Sequence, residues 1–389
     1  MVEFKFHKVV AEGNIEYYGN IVFDEFPRAV ILNSRQTKTP TGSDPWVSGT
    51  VKAVKAAIKN GYCVLTGLDM DTWELALWAC SEYGGRQIII APIQSSEDKN
   101  ELIAQVTANF ELDHARTGWL FFNSVKTRSK KSDWPVRDKL AVEYADKIIP
   151  VCIRDNGNLD SLIKGEISNS NKTVIDDFRT KYRTKKDDDE FRPEDIKVAI
   201  PRAGWNYITH WSRTCYGPWP GEKASSFYRR LAESSRYYPN TGLATLKNIV
   251  SEKLIHGSAR FHKGSLTAVA FSSLHPADIL PLMSWRKRYV RWNFEPYGVA
   301  ISRQVAIDSG IQPVIYGAPG FYDRLTEPDK LYFQSEGESG NWRVEKEWRY
   351  IGDYNLSNIS PENIRIIVCR PSEIETFKDI TAIKVLSFS

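Results

Sequence analysis

Arg28-Ala-Val-Ile-Leu-Asn-Ser-Arg35 opens the series that sets the fold. Ala29–Leu32 is a short apolar run, followed by a segment of helical spacing, Val47–Lys59, with Val51, Val54 and Ile58 on one stripe. Tyr62–Thr66, Gln87–Pro92, Trp119–Asn123 and Lys147–Ile153 repeat the apolar run, and Thr72–Tyr83, Lys99–Phe110 and Asp138–Tyr144 repeat the helical spacing. Continuously apolar strands alternating with helices are what a parallel sheet covered on both faces requires. The pattern predicts an α/β fold, a doubly wound Rossmann-like parallel sheet over residues 28–165, after an N-terminal extension of residues 1–27.

Residues 166–197 change character, with a run of mixed charge from Lys181 to Glu190, and read as a charged linker. The remainder, 198–389, holds seven of the 12 tryptophans and many short strand patterns. These are Asn206–Thr214, Thr267–Ser272, Gly298–Ser302, Pro313–Tyr316, Arg343–Ile351, Ile364–Cys369 and Ala382–Ser387, with one clear helix over Thr241–Lys253. An α+β domain with a mixed sheet is expected there.

Composition sets the outer bounds. At 389 residues the chain suits two domains, and 42% hydrophobic with 26% charged residues is globular. The net charge of +4 gives no global field that demands nucleic acid, so such a partner must be argued from a local patch. Five scattered cysteines, without a C-x-x-C pair, suit reduced thiols in a cytosol. No apolar run of membrane-spanning length occurs, so a cytoplasmic protein with no membrane partner is expected. The six histidines form no H-x-x-x-H pair, and no metal is expected. There is neither a G-x-S-x-G elbow nor a P-loop string.

In open α/β sheets, ligands bind beyond the carboxyl ends of the strands. Here the first strand ends in Asn33-Ser34-Arg35, with Thr37, Thr39, Thr41, Gly42 and Ser43 in the following loop. The second ends in Thr66-Gly67, with Asp69 and Asp71 beyond. Small hydroxyl residues and glycine let backbone N–H groups approach a phosphate, and Arg35 could grip one bidentately. Asp69 and Asp71 suit ribose hydroxyls better.

The strings AVILNSR, Lys59-Asn60-Gly61, YCVLTG and WPVRDKLAVEYADKIIPVCI (Trp134–Ile153) together resemble the DprA/LOG-like Rossmannoid group often called SLOG. That group binds nucleotides, nucleotide-derived signals or single-stranded DNA at this edge of the sheet. The resemblance implies ligand contacts at Ser34, Arg35, Thr66, Gly67 and Arg137. Two departures stand out: Asn33 occupies a position where the group commonly has glycine, and the PGGxGT-x-x-E motif of its phosphoribohydrolase branch is missing. Glu74 follows Thr66-Gly67 without that glycine loop, so the resemblance favours binding over hydrolysis in this domain.

In the second half, period two places Ile208, His210, Ser212 and Thr214 on one face of a strand. The same period over Trp342–Tyr350 places Arg343, Glu345, Glu347 and Arg349 together. A fixed glutamate could stabilise the oxocarbenium-like sugar formed when an N-glycosidic bond breaks, whereas a self-neutralising Arg-Glu-Glu-Arg ladder is the structural alternative. YITHWSR, TLKNIVSEKLIHGS, TAVAFSS and WRVEKEWRY resemble an uncharacterised bacterial family with an EKEWR motif, whose layout is similar to the ADP-ribosyltransferase fold. On that resemblance His210, Ser272 and Glu347 take the catalytic roles, Glu345 completes an E-x-E pair, and NAD or a related nucleotide is the implied cofactor or substrate. Bacterial defence and nucleic-acid modification are contexts it suggests.

Finally, Trp285–Trp292 sets Arg286, Lys287, Arg288 and Arg291 among three aromatic residues. That is the composition of a single-stranded DNA or RNA platform, and equally of an amphipathic surface helix or a domain-interface strip. Two functions therefore stand side by side. One is a nucleotide-recognising protein with a transferase or glycohydrolase domain; the other is a non-enzymatic module binding a nucleotide signal or single-stranded nucleic acid. Neither the base, sugar or acceptor nor an oligomeric state is written in the pattern.

Overall fold

The computed structural model describes residues 15–94, 98–124, 132–169, 172–183, 191–258, 267–287, 291–336 and 342–388. Two compact units emerge. Unit 1 comprises Met1–Asp187 with Tyr216–Pro239, and unit 2 comprises Asp188–Cys215 with Asn240–Ser389.

Unit 1 is built on β1 (Ile15–Gly19), β2 (Arg28–Asn33), β3 (Cys63–Gly67), β4 (Arg86–Ile93), β5 (Thr117–Asn123), β6 (Lys147–Cys152) and β7 (Thr173–Val174). They form one seven-stranded sheet in the order β1-β5-β4-β3-β2-β6-β7, parallel except for β1. The central strands are buried on both faces, which is why they read as unbroken apolar runs. Helices α1 (Pro45–Lys59), α2 (Asp71–Glu82) and α3 (Lys99–Phe110) cover one face, with Ile31, Val64, Ile89 and Phe121 beneath them. Helices α4 (Trp134–Tyr144) and α5 (Asn158–Asn169) cover the other, over Val30, Leu65, Ile90 and Ile148.

The structure draws the boundaries differently from the sequence pattern. The N-terminal extension supplies β1, which pairs antiparallel with β5 and becomes the edge strand of the sheet. The expected linker supplies the end of α5 and then β7, which extends the sheet beyond β6. A third difference lies in Tyr216–Pro239, expected in the second domain. Its helix α6 (Ala224–Glu233) buries Phe227, Tyr228 and Leu231 in the core of unit 1. The charge run 184–190 lies outside the described residues.

In unit 2 the strands are β8 (Tyr207–Ser212), β9 (Leu254–Ile255), β10 (Ala268–Ser272), β11 (Trp285–Arg286), β12 (Arg291–Trp292), β13 (Tyr297–Ser302) and β14 (Gln312–Pro313), followed by β15 (Ile315–Gly317), β16 (Phe333–Ser335), β17 (Glu347–Ile351), β18 (Tyr354–Asn355), β19 (Ile364–Val368) and β20 (Lys384–Ser387). Seven of them make a mixed sheet, β14-β17-β10-β8-β13-β19-β20, and three two-stranded ribbons complete the set. Helix α7 (Gly242–Glu252) is N-capped by Thr241, whose side chain accepts the Ala244 N–H at 3.2 Å. The fold is therefore α/β: a Rossmann-like sheet, then a mixed-sheet domain. Among the described residues no helix is long and apolar enough to cross a membrane.

One strand is corrected. Trp342–Glu345 is a 3-10 turn, Lys346 takes a left-handed φ of 44°, and β17 starts only at Glu347. The continuous period-two face through Arg343, Glu345, Glu347 and Arg349 is therefore broken between the two glutamates.

Because Tyr228 is only 1% exposed, Tyr228→Ala should cost unit 1 roughly 3–5 kcal/mol, as for other buried aromatic truncations. Chemical denaturation followed by peptide-resolved hydrogen exchange should place that loss in β2, α2 and α3. A loss confined to unit 2 would contradict the placement of α6.

Candidate functional site

The chain steps from β2 through β3 and β4 to β5, then returns to lay β6 on the far side of β2. Loops after β2 and β6 thus diverge, and the crevice between them is the switch point where open α/β sheets take ligands. The register between these strands slips between Leu32 and Asn33, which lie at this edge. Beyond the slip, the Ser34 N–H donates to the Cys152 carbonyl (2.8 Å), and Ser34 Oγ accepts the Arg154 N–H (2.9 Å). Asn33 is buried; its Nδ2 donates to Thr50 Oγ1 (2.9 Å).

Most of the expected contact residues are occupied in holding this edge together. Thr66 is fully buried and donates to Gln87 Oε1 (3.2 Å). At Gly67 a Cβ would lie 2.8 Å from Cδ of Arg137, so the glycine makes room for that side chain. Arg137 is 2% exposed. It donates to the Leu68 carbonyl (2.6 Å) and to Asp138 Oδ1 (2.8 Å), and lies over the Trp73 ring at 4.5 Å.

Arg35 differs from these. It is exposed, and its guanidinium makes no hydrogen bond among the described residues; its carbonyl accepts the Tyr182 hydroxyl (3.1 Å). Asp71, in the first turn of α2, likewise makes no hydrogen bond among them. Burial holds the Asp71 carboxyl above its ordinary range, opposed by the charges of Lys38 and Arg35. Beside it, Glu74 is pushed up to about 7 by burial and by the charge of Asp71, against hydrogen bonds from Tyr228 and from the Asp69 N–H. Those two donors lie at 2.9 and 3.0 Å. A guanidinium and two carboxyls whose proton affinity is raised therefore lie at one end of the sheet. Tyr228 has no counterpart among the expected site residues; the spacing of Phe227, Tyr228 and Leu231 marks only an amphipathic helix.

In unit 2 the register separates the residues expected to act together. Ser272 stands opposite both Thr209 and Glu347, so Ser272 and Glu347 share a face. His210, one residue past Thr209, projects to the other face, where its ring meets Phe271 at 5.8 Å. Its Nδ1 lies 2.9 Å from the Ala270 carbonyl and so carries the proton, while burial lowers the imidazole to about 4. His210 is thus neutral and structural in its bonding.

The glutamates also differ. Glu347 Oε1 pairs with Arg349 Nε at 2.7 Å, and Arg349 is 4% exposed, with further bonds to the Phe333 carbonyl and Gln334. Glu345 accepts from Asn293 (3.1 Å), and burial raises its carboxyl. Ser272 Oγ donates to the Glu345 carbonyl at 2.6 Å, tying the turn to the sheet. The basic strip forms the ribbon β11–β12, in which Trp285 faces Trp292 and Arg286 faces Arg291. Arg286 and Lys287 are exposed, Trp292 packs on the core of unit 2, and Arg288 lies outside the described residues. Among the described residues no three His, Cys, Asp or Glu side chains are grouped to hold a metal.

Two measurements test these assignments. Glu74 holds its proton more tightly in the folded chain than at its ordinary 4.5, so its stabilisation is full below pH 4.5 and is lost as pH rises towards 7. Glu74→Gln should flatten the fall in the melting temperature of unit 1 over that window; an unchanged slope would refute the assignment. Removing the partner of a buried guanidinium typically costs about 3–5 kcal/mol. Glu347→Ala should therefore destabilise unit 2 strongly in urea titrations, and a stability equal to the wild type would show that Arg349 does not need it.

No family model and no curated protein matches the chain. Similar solved structures include DNA processing protein A from Streptococcus pneumoniae, at TM-score 0.29 and 14% identity, covering 41% of this chain and 62% of that one. A second is DNA processing protein A from Helicobacter pylori, described for its single-stranded DNA binding mode, at TM-score 0.28 and 15% identity, covering 37% and 63%. A third is the molybdenum cofactor carrier protein of Chlamydomonas reinhardtii, at TM-score 0.26 and 12% identity, covering 39% and 75%. The chain spans less than two thirds of either DNA processing protein. All three likenesses are slight.

Proposed function

We propose that unit 1 binds a nucleotide or nucleotide-derived ligand at the carboxyl edge of its sheet. The observation that carries this reading is the placement of Arg35 just past β2 and of Asp71 in the first turn of α2 after β3, at the same edge of the sheet. Neither makes a side-chain hydrogen bond among the described residues, and the charge of Arg35, with that of Lys38, favours the ionised form of Asp71 against its burial. A guanidinium recognises phosphate oxygens and a carboxylate recognises ribose hydroxyls, so the two chemistries of a nucleotide are represented side by side. Thr37, Thr39 and Ser43 add hydroxyls along the same loop. Single-stranded nucleic acid belongs to the same ligand class, since it offers the same phosphate and sugar groups.

An N-glycosidic activity in unit 2 is the weaker reading. It draws on Glu345 and Glu347, but Glu347 is the counter-ion of Arg349 and His210 stands on the opposite face. What favours it is Glu345, a carboxyl off the strand that accepts from Asn293 and whose affinity for protons is raised by burial.

The experiment is calorimetric titration of the full chain with AMP, ADP-ribose, NAD, inorganic phosphate and a short single-stranded DNA. Arg35→Ala should weaken every phosphate-bearing ligand at least tenfold with the melting temperature unchanged. Asp71→Asn should weaken the ribose-bearing ligands while sparing inorganic phosphate. Wild-type affinity in Arg35→Ala would remove the proposal; release of nicotinamide or a free base, lost in Glu345→Gln, would move the chemistry to unit 2.

A further inference from the structure

The register of the β11–β12 ribbon in unit 2 sorts its side chains by chemistry. Trp285 stands opposite Trp292 and Arg286 opposite Arg291. Alternation along each strand sends the tryptophans to one face and the arginines to the other. The tryptophan face is turned to the protein. Trp292 packs on the core of unit 2, with the Phe191 ring centroid at 5.1 Å and the Trp285 ring edge-on at 5.8 Å. The arginine face is therefore directed away from that core; Arg286 is exposed, as is Lys287 at the turn that follows.

One residue holds the root of the ribbon. The Asn293 N–H donates to the Ser284 carbonyl (2.9 Å), its carbonyl accepts from Arg213 Nη1 (3.2 Å), and its side chain donates to Glu345 (3.1 Å). Burial raises the Glu345 carboxyl, while the Asn293 hydrogen bond and the charges of Arg286 and Arg213 lower it. Both guanidiniums thus act on the same carboxyl, and Arg291 joins them through its register with Arg286.

Guanidiniums directly opposite one another in a ribbon repel, where an oppositely charged pair would stabilise it. The tryptophans on the other face carry the packing, so burial does not explain the paired arginines. A chain of phosphates laid across them relieves the repulsion, and each guanidinium can grip two oxygens. The ribbon is seated on its own domain through Trp292, unlike a β-ribbon that enters the major groove of a duplex. A flexible single strand can follow such a seated cationic face.

We propose that the arginine face of the β11–β12 ribbon, with Arg213 and Lys287, is a docking surface for the sugar-phosphate backbone of single-stranded nucleic acid. It belongs to unit 2 and does not rest on the reading of Arg35 in unit 1.

Fluorescence anisotropy of labelled oligothymidylate, titrated with the full chain over a salt series, tests it. The parent is the Arg35→Ala chain, in which the contact proposed for unit 1 is removed. For a single strand, each phosphate contact adds roughly 0.7 to the slope of log affinity against log salt. Adding Arg286→Ala and Arg291→Ala together should weaken binding at least tenfold and lower the slope by roughly 1.4. Arg286→Glu sets an opposite charge across from Arg291; it should abolish binding and leave the melting temperature at or above the parent's. Parental affinity and slope in both ribbon variants overturn the proposal. A duplex of oligothymidylate with oligoadenylate should compete at least tenfold more weakly than the single strand, and equal competition overturns the single-strand assignment. If Arg35→Ala alone changes nothing while the ribbon variants lose binding, the ribbon surface stands and the Arg35 reading fails for nucleic acid.

Discussion

Burying the Arg137 guanidinium beneath the carboxyl edge of the sheet is the constraint on which unit 1's candidate site depends. A charge withdrawn from water must be answered where it lies, and the desolvation penalty is several kcal/mol unless the partners are well placed. Asp138 supplies the counter-charge, the Leu68 carbonyl a hydrogen bond and Trp73 a ring face. Each partner fixes backbone. Leu68 holds the exit of β3, Gly67 stays bare because the side chain occupies its Cβ space, and Asp69 turns through a left-handed φ of 68° into α2. The first turn of α2 follows directly, carrying Asp71, which feels the charges of Lys38 and Arg35, and Glu74, which feels that of Asp71.

Unit 2 answers its own buried guanidinium differently, and the difference decides what its acids can do. Arg349 takes Glu347 as its direct partner, so that carboxylate serves the fold first. Glu345 escapes this duty because the 3-10 turn carries it off the strand. The two glutamates that look equivalent in the string EKE are therefore not equivalent in the molecule. One neutralises a core charge, while the other is a partly desolvated acid held by Asn293.

The parallel sheet was legible because burial on both faces leaves an unmistakable trace: Ile88, Ile89, Ile90 and Ala91 are all fully buried, and no polar residue interrupts them. What escaped the pattern has physical reasons. β7 is two residues long, too short for any period, and β1 sits on an edge where alternation is half exposed. Period two mistook Arg343–Ile351 for one strand because a positive φ at Lys346 carries no signal in a lysine. Arg35 was readable as a strand-end cation, whereas Arg137, Thr66 and Gly67 carry the same chemical types with their groups turned inward. The role of α6 was invisible for a different cause: its amphipathic spacing says that one face is buried, but not in which core.

Charge at the ligand edge also links binding to protons. Arg35 and Lys38 favour the ionised form of Asp71, and Asp71 in turn raises Glu74. A phosphate that takes the Arg35 guanidinium removes part of that support and brings its own negative charge. Both effects act in one direction, raising the affinity of the Asp71 and Glu74 carboxyls for protons. With Glu74 at about 7, the added shift falls where solution pH can supply the proton. On the proposed reading, an anion bound at this edge would draw a proton towards Glu74, the carboxyl bonded to Tyr228 of α6. The Tyr228 hydrogen bond that lets this buried acid tolerate its surroundings therefore ties the charge state of the edge to helix α6, within the core of unit 1.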